Sequence, residues 1–501
     1  MKARVLVGLS AGLFLFTSQA AAQTAPDDDD DERVIAPAPC DPVTIFVDAR
    51  GAATGTGTRK KPLSSLAAAA RLAEARDACG VVVKLAPGTY EGNVEVTRPL
   101  AIHGERGAPA VIRGTIANVT GGALQLRDVD VVDAPFPGGI VVASPRAETR
   151  LVRVRVIGAT GYGVRHTAGA PRVRDVSVVG TRLVTTAALP CDEAYSLGPV
   201  PFEAYARANT TAILQSFVDA GPRGEVALRG RSVLCAPIVR DAFDQVSVGA
   251  LFGHGDLPFS GLVGFLGADP PIGADGGTGV YVSGEEQDEH SFHGLTVDGA
   301  ARAGVIVSGA ETSATFFNLT VTNTSHDPAL AGLTVLDTIA SGGSFGGLEA
   351  RYGAKVQVVG GTFVGNDVAG VYLHEGATAP TLAGITISGS HAVAFSPGAN
   401  MGDGLLVVGS TVGKLSAGTC NGNDRAGILL TTTEVLSASV TIQNVVASFN
   451  RFGFVLQGAS TAAPVSWKTE LTAQGNTTQD IVIAGELSVP NRPLATPPAP
   501  P

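Results

Sequence analysis

Apolar residues along this chain fall into short runs that restart at glycine. Gly139-Ile140-Val141, Gly279-Val280-Tyr281, Gly304-Val305-Ile306, Gly370-Val371-Tyr372 and Gly427-Ile428-Leu429 share one form, a glycine followed by two apolar residues. Neighbouring copies of the form are often 23 to 26 residues apart. Between restarts, apolar and polar residues alternate, the period of a strand with one face buried and one in solvent. One short strand at each return of such a period predicts a solenoid. A single coil cannot bury its own apolar face and has to stack on its neighbours.

The coils can be aligned. Arg127–Val132 matches Val152–Ile157 at an offset of 25, and that segment matches Arg174–Val179 at an offset of 22. In a parallel stack, aligned residues lie about 4.8 Å apart. Asp128, Arg153 and Asp175 then form one outward column, and Asp130, Arg155 and Ser177 another. A row of arginines would suit an anionic polysaccharide. The alternation of sign favours a charge ladder that fixes register, because a slipped register would stack like charges. Asn366, Asn423, Asn450 and Asn476 recur just before the next glycine restart, with Asn323 before a longer loop. Asparagine tolerates left-handed backbone and bonds its own turn, so these five residues are expected to be structural.

Two segments depart from the repeat. Residues 44–104 run from the strand Ile45–Asp48 through a Gly/Thr loop to Pro62. Ser65 is then placed to cap an Ala-rich helix over Leu66–Ala78. The strand Val81–Leu85 and the turn Pro87-Gly88-Thr89-Tyr90 follow. Residues 181–276 hold Tyr195, Phe202, Phe243, Phe252 and Phe259 among others. This stretch is expected to be irregular, with loops leaving the stack and some coils persisting, as at Val226-Ala227-Leu228. Such insertions are where a solenoid tends to carry its binding surface.

Gly57-Thr58, Pro62, the Ala-rich helix and Ala86-Pro87-Gly88-Thr89-Tyr90 resemble the N-terminal cap of secreted right-handed parallel β-helix proteins of the pectin-lyase-like superfamily. The resemblance is close over about sixty residues and elsewhere extends only to the repeat. It implies an all-β fold, a right-handed parallel β-helix (solenoid) with an N-terminal helical cap, of about 14–17 coils. It is specific for fold and poor for function, since the superfamily contains lyases, hydrolases, epimerases and adhesins.

Length and charge refine this picture. The chain has 501 residues, 64 of them glycine, and only 5% are aromatic, which suits tight coils filled by Val, Leu, Ile and Ala. Residues 1–22 read as a signal peptide, with Lys2 and Arg4, an apolar Val5–Phe16 and a small-residue site at Ala20–Ala22. Residues 23–42 read as an acidic, Pro-rich linker, 43–489 as the β-helix, and 490–501 as a Pro-rich tail. The formal charge is −10; without Lys2 and Arg4 it is −12, and without the six acids Asp27–Glu32 it is −6. An acidic body argues against nucleic acid. Export to the periplasm, surface or medium of a bacterium is expected, with no transmembrane segment and a monomeric state. Five cysteines in an exported chain suggest the bridges Cys40–Cys79 and Cys191–Cys235, leaving Cys420 buried and inert.

Candidate chemistry is sparse. Related hydrolases of the superfamily set carboxylates beside a Gly-His-Gly turn, and Gly253-His254-Gly255-Asp256 is similar to it. The Asp-Asp, Asn-Thr-Asp and Arg-x-Lys partners are missing here. A catalytic set would draw on His254, Asp256, Arg240 and Asp241, with His290 nearby. Glu285, Glu286 and Asp288 offer oxygen ligands for calcium, though without Gly punctuation or an EF-hand spacing a solvated acidic hairpin is the favoured reading. Ser325-His326-Asp327-Pro328 has the composition of an epimerase motif in the wrong order. His374-Glu375 reads as a surface loop pair. One Trp and seven Tyr give few faces on which sugar rings can stack. The expected function is therefore a secreted or cell-surface protein, non-catalytic, displaying loops for an extracellular polysaccharide or another envelope component. The alternative is a polysaccharide lyase or glycoside hydrolase.

Overall fold

Each turn of the chain adds one rung to two long sheets, and the glycine restarts mark the entry to one of them. The computed structural model describes residues 42–183 and 277–485, apart from segments of which 327–344 is the longest, and six short strands between residues 225 and 263. Among the described residues, one sheet has eighteen strands and the other thirteen. All their coil-to-coil pairings are parallel; Val393–Phe395 alone joins antiparallel, at Ala399–Val408. The chain is a right-handed parallel β-helix. Its thirteen-stranded sheet holds twelve parallel rungs once Val393–Phe395 is set aside, fewer than the sequence suggested. The stretch 184–276 places no rung between its two flanking strands of this sheet. Tyr162–His166 pairs directly with Thr278–Val282 across it. The strands inside the insertion pair antiparallel, with Glu225–Ala227 against Val233–Cys235. Val226-Ala227 is thus part of a hairpin, not a persisting coil.

The larger sheet is bent. Thr149–Ile157 pairs with Leu124–Val132 on one side, with Leu151 opposite Leu126 and Arg155 opposite Asp130. On the other side it meets two separate strands, Pro171–Arg174 and Ser177–Val179. The offsets of 25 and 22 are the registers of the stack. The bend falls where the backbone turns left-handed: Asp128, Arg153 and Asp175 have φ of 55°, 52° and 52°, and Gly294, Gly360 and Gly384 hold the same place further along. Strand residues on this sheet alternate as expected, with Leu151, Val154 and Val156 in the core.

The glycine-led sheet does not alternate. Val280, Val305 and Leu348 face the bore, while Tyr281, Ile306, Tyr372, Leu406 and Val455 on the opposite face are equally buried. A sheet covered on both sides reads as a continuous apolar run. The leading glycine is a matter of space. A Cβ on Gly404 would stand 2.5 Å from the carbonyl oxygen of Gly427, and Gly163, Gly279 and Gly304 face the next rung at the same distance.

The N-terminal end is closed by helix α1 (Leu66–Ala75), whose Leu66, Ala69 and Ala73 join the core beside Ile45. Ser65 Oγ accepts from the Ala68 amide at 3.2 Å, the cap expected there. The asparagine ladder forms over three rungs. The Asn423 amide nitrogen Nδ2 donates to Asn450 Oδ1 at 2.9 Å, Asn450 Nδ2 to Asn476 Oδ1 at 3.2 Å, and Asn476 Nδ2 to Asp480 at 2.7 Å. Asn366 bonds Val321 and Thr324 instead. Asn323 is not in the ladder: with φ 54° it occupies the left-handed turn one residue earlier and donates to Asp298. Cys420 is buried, and burial pushes its thiol up to about 12, so it is inert. Cys40, Cys79 and Cys191 lie outside the described residues, as does the Cys235 side chain.

Candidate functional site

An open groove of about 320 Å³ runs along the bend of the larger sheet. Its charged lining is Glu105, Asp128, Asp130, Arg153, Arg155 and Asp175. The residues come from successive coils because the left-handed bend returns at the same place in each. A left-handed backbone costs about 1–2 kcal/mol for a residue with a side chain, least for Asp and Asn. Later coils meet that requirement with Gly294, Asn318, Gly360 and Gly384, and then with Ala417. Arg153 bears the penalty, and its side chain is what the position gains.

That side chain is engaged. Arg153 Nε and Nη2 donate to Asp128 Oδ1 and Oδ2 at 2.7 and 3.0 Å, a two-point fork. Arg127 Nε adds a third bond to Asp128 at 3.3 Å. Arg155 makes the same fork on Asp130 one step along the strand, with Nε to Oδ1 at 2.8 Å and Nη2 to Oδ2. Burial pushes the Asp128 carboxyl up, but Arg153 and Arg127 outweigh it and hold it below the usual carboxylate range. The bond from Arg155 to Asp130 raises the Arg155 guanidinium further. The third rung differs, since Asp175 is 58% exposed and has Arg174 Nε at 3.8 Å. The expected ladder is thus real over its first two rungs.

Four carboxylates and two guanidiniums line the groove, and Arg127 and Arg174 stand against Asp128 and Asp175 from its margin, so opposite charges are close to balanced there. Neither arginine is placed as a proton acceptor, because each is charged and forked onto a carboxylate. Asp128, held ionised, is no general acid. What the groove offers is a row of oriented acceptors and guanidinium edges, a surface for hydroxyl groups.

A second polar cluster is buried under the other sheet. Glu349 takes Arg351 Nη1 at 3.2 Å, His374 Nε2 at 2.9 Å and the Phe345 amide at 3.0 Å. The Tyr372 ring stacks between Phe345 and His374, at 5.2 and 4.3 Å. Burial pushes the Glu349 carboxyl up, and Arg351 and His374 more than offset it, so it is held low. Burial pushes neighbouring Glu375 the other way, upward. His374 is therefore no surface loop residue; it is 2% exposed. The signal for this cluster was present in Gly347-Leu348-Glu349-Ala350-Arg351, where two charges replace apolar residues in a glycine-led strand.

Most of the other candidates fall on side chains outside the described residues. His254 lies in Leu251–His254 and Arg240 in Ile238–Arg240, strands of two different small sheets. Their side chains, with Asp241 and Asp256, lie outside the described residues, as do Glu285, Glu286 and Asp288. His290 is fully buried, edge-on to His166 with ring centres 5.7 Å apart, and so faces the core rather than a substrate. His326 Nδ1 lies 2.7 Å from Asp367 Oδ2, a partner from the next coil that the local motif did not show. Among the described residues, no group of three metal-binding side chains occurs, and no helix is long and apolar enough to cross a membrane.

No family model and no curated protein matches the chain. Solved structures of the same fold do. The A-module of a mannuronan C-5 epimerase from Azotobacter vinelandii is 9% identical, with 90% of this chain and 100% of that one covered and a TM-score of 0.36. A pectate lyase is 11% identical over 85% and 79%, with a TM-score of 0.29. A periplasmic alginate epimerase is 9% identical over 81% and 77%, with a TM-score of 0.31. At such identities and scores, what the protein does has to be read from its own residues.

Proposed function

We propose that the protein is a secreted or cell-surface carbohydrate-binding β-helix, non-catalytic at the bend groove, that holds an extended, uncharged stretch of an extracellular polysaccharide. The paired forks Arg153–Asp128 and Arg155–Asp130 carry this reading. They fix four charged groups in an open groove while leaving them as hydrogen-bonding surface, not as acid or base. With Arg153 and Arg155 already forked onto carboxylates, the groove favours neutral hydroxyl groups over a uronate chain. Affinity rests on hydroxyl contacts repeated along the stack, since aromatic stacking is not supplied by the charged lining.

The test is affinity electrophoresis of the full chain in gels holding neutral or uronic-acid polysaccharides, with product release assayed in parallel. Retardation in a neutral gel, lost in an Asp175→Ala, Glu105→Ala double variant, is the expected result. Both side chains are on the exposed flank, so the forks and the fold stay intact. Retardation only by uronates, or no retardation anywhere, would remove the proposal. Release of reducing ends or unsaturated products would establish the lyase or hydrolase alternative instead.

A further inference from the structure

The two ends of the stack are treated differently. Helix α1 covers the first coil. The last described coil consists of Ser466–Gln474 and Gln479–Gly485, each pairing with one neighbour among the described residues. Ile481 and Ile483 stack below Phe454 and Leu456, whose side chains are core. Every inward position above them is buried, yet Ile481 is 48% and Ile483 70% exposed. Among the described residues the bore therefore ends on two open isoleucines, in strands paired on one side only. Such an edge recruits another strand unless charge, proline or a cover prevents it. Asp480 is the single charge on Gln479–Gly485, and no proline interrupts it.

We infer that this end is an association surface, and that its occupant is the same end of a second copy. The reason is that Gln479–Gly485 is complementary to itself. A two-fold axis normal to the sheet, passing midway between Val482 and its copy, sets the strand antiparallel to that copy. Ile481 then lies opposite the second copy's Ile483, and Ile483 opposite its Ile481. Residues directly opposite in an antiparallel pair share a face. Both isoleucines belong to the bore-facing columns, so the core would run unbroken from one solenoid into the next. A two-fold contact of this kind closes after two copies, so it stops growth instead of seeding fibres. The chain's own residues beyond 485 are a poor substitute, because Pro490, Pro493, Pro497 and Pro498 cannot donate to a ladder. On this inference the protein is an end-to-end dimer, where the sequence led us to expect a monomer.

The experiment is light scattering coupled to size exclusion on the full chain over a wide concentration range. A mass twice that of the chain is expected, falling to one chain in Ile481→Lys, Ile483→Lys. Far-ultraviolet circular dichroism shows whether that variant keeps the stack. Should it fail to fold, Val482→Cys answers the question by itself. Val482 meets its own copy on the axis, so mild oxidation should produce a disulfide-linked dimer that the unsubstituted chain does not form. A single-chain mass at all concentrations, or a dimer in which Val482→Cys does not cross-link, would overturn the inference.

Discussion

Among single residues, Glu349 is the one whose surroundings most constrain the chain. It is fully buried in the strand Gly346–Arg351, whose other charged residue, Arg351, is its buried counter-ion at 3.2 Å. Deleting one partner of a buried pair strands the other charge and costs about 3–5 kcal/mol, whereas replacing the whole pair by apolar side chains is often neutral. Arg351→Met is expected to lose stability on that scale, with His374 left as the remaining partner. Adding Glu349→Leu to it should restore much of the loss. Urea unfolding of the two variants measures the difference. Equal instability in both would show that packing, not charge, is what Arg351 provides.

At the scale of the element, the glycine restart is the most constrained feature. The entry to each glycine-led strand passes so close to the next rung that a methyl group has no room. Gly404→Ala would place a Cβ 2.5 Å from the Gly427 oxygen and 2.8 Å from Asn423 Nδ2. Overpacking of this sort costs about 1–3 kcal/mol, and it should also break the ladder bond from Asn423 to Asn450. Gly80→Ala, with nothing within 4 Å, is the control and is expected to change little. Thermal melts of the two variants decide the matter; parallel losses would mean that glycine acts here through backbone freedom alone. This element shows why the fold was legible. Contact between identical positions repeats in space every coil, so it repeats in sequence every coil, and the registers of Thr149–Ile157 followed directly. The missed pieces are those the period cannot encode. Gly347 was overlooked because Leu348-Glu349 breaks the apolar form. The second burial face was overlooked because what covers a sheet is not written in the sheet. The bend groove was half seen: its columns were correctly aligned, but the alternation of sign gave no hint that the left-handed backbone would open them into a cleft.

For the whole molecule, the stack concentrates its pH sensitivity in a few histidines that the bore and sheets shield. Burial brings His166 down to about 3, with His290 beside it adding to the effect. Burial and the nearby Arg127 bring His103 down to about 4. In the unfolded chain both return to about 6.5. A depressed histidine contributes stability that is complete above its unfolded value and is lost as pH falls towards the folded one, because the unfolded chain then binds the extra proton. Each such group steepens the loss by up to about 1.4 kcal/mol per pH unit. Glu375 acts with the opposite sign, since its raised carboxyl favours the folded state as pH falls through the region just above the ordinary carboxylate value. One carboxyl does not offset two histidines between pH 6.5 and 4. The melting temperature should therefore fall steadily from neutral pH to pH 4, well before carboxylate pairs such as Arg153–Asp128 are titrated. His166→Leu should flatten that fall, because leucine fills the bore without a proton to gain. A melting temperature independent of pH across this window, or a slope unchanged in His166→Leu, would place the acid sensitivity of the solenoid in its surface carboxylates rather than in its core.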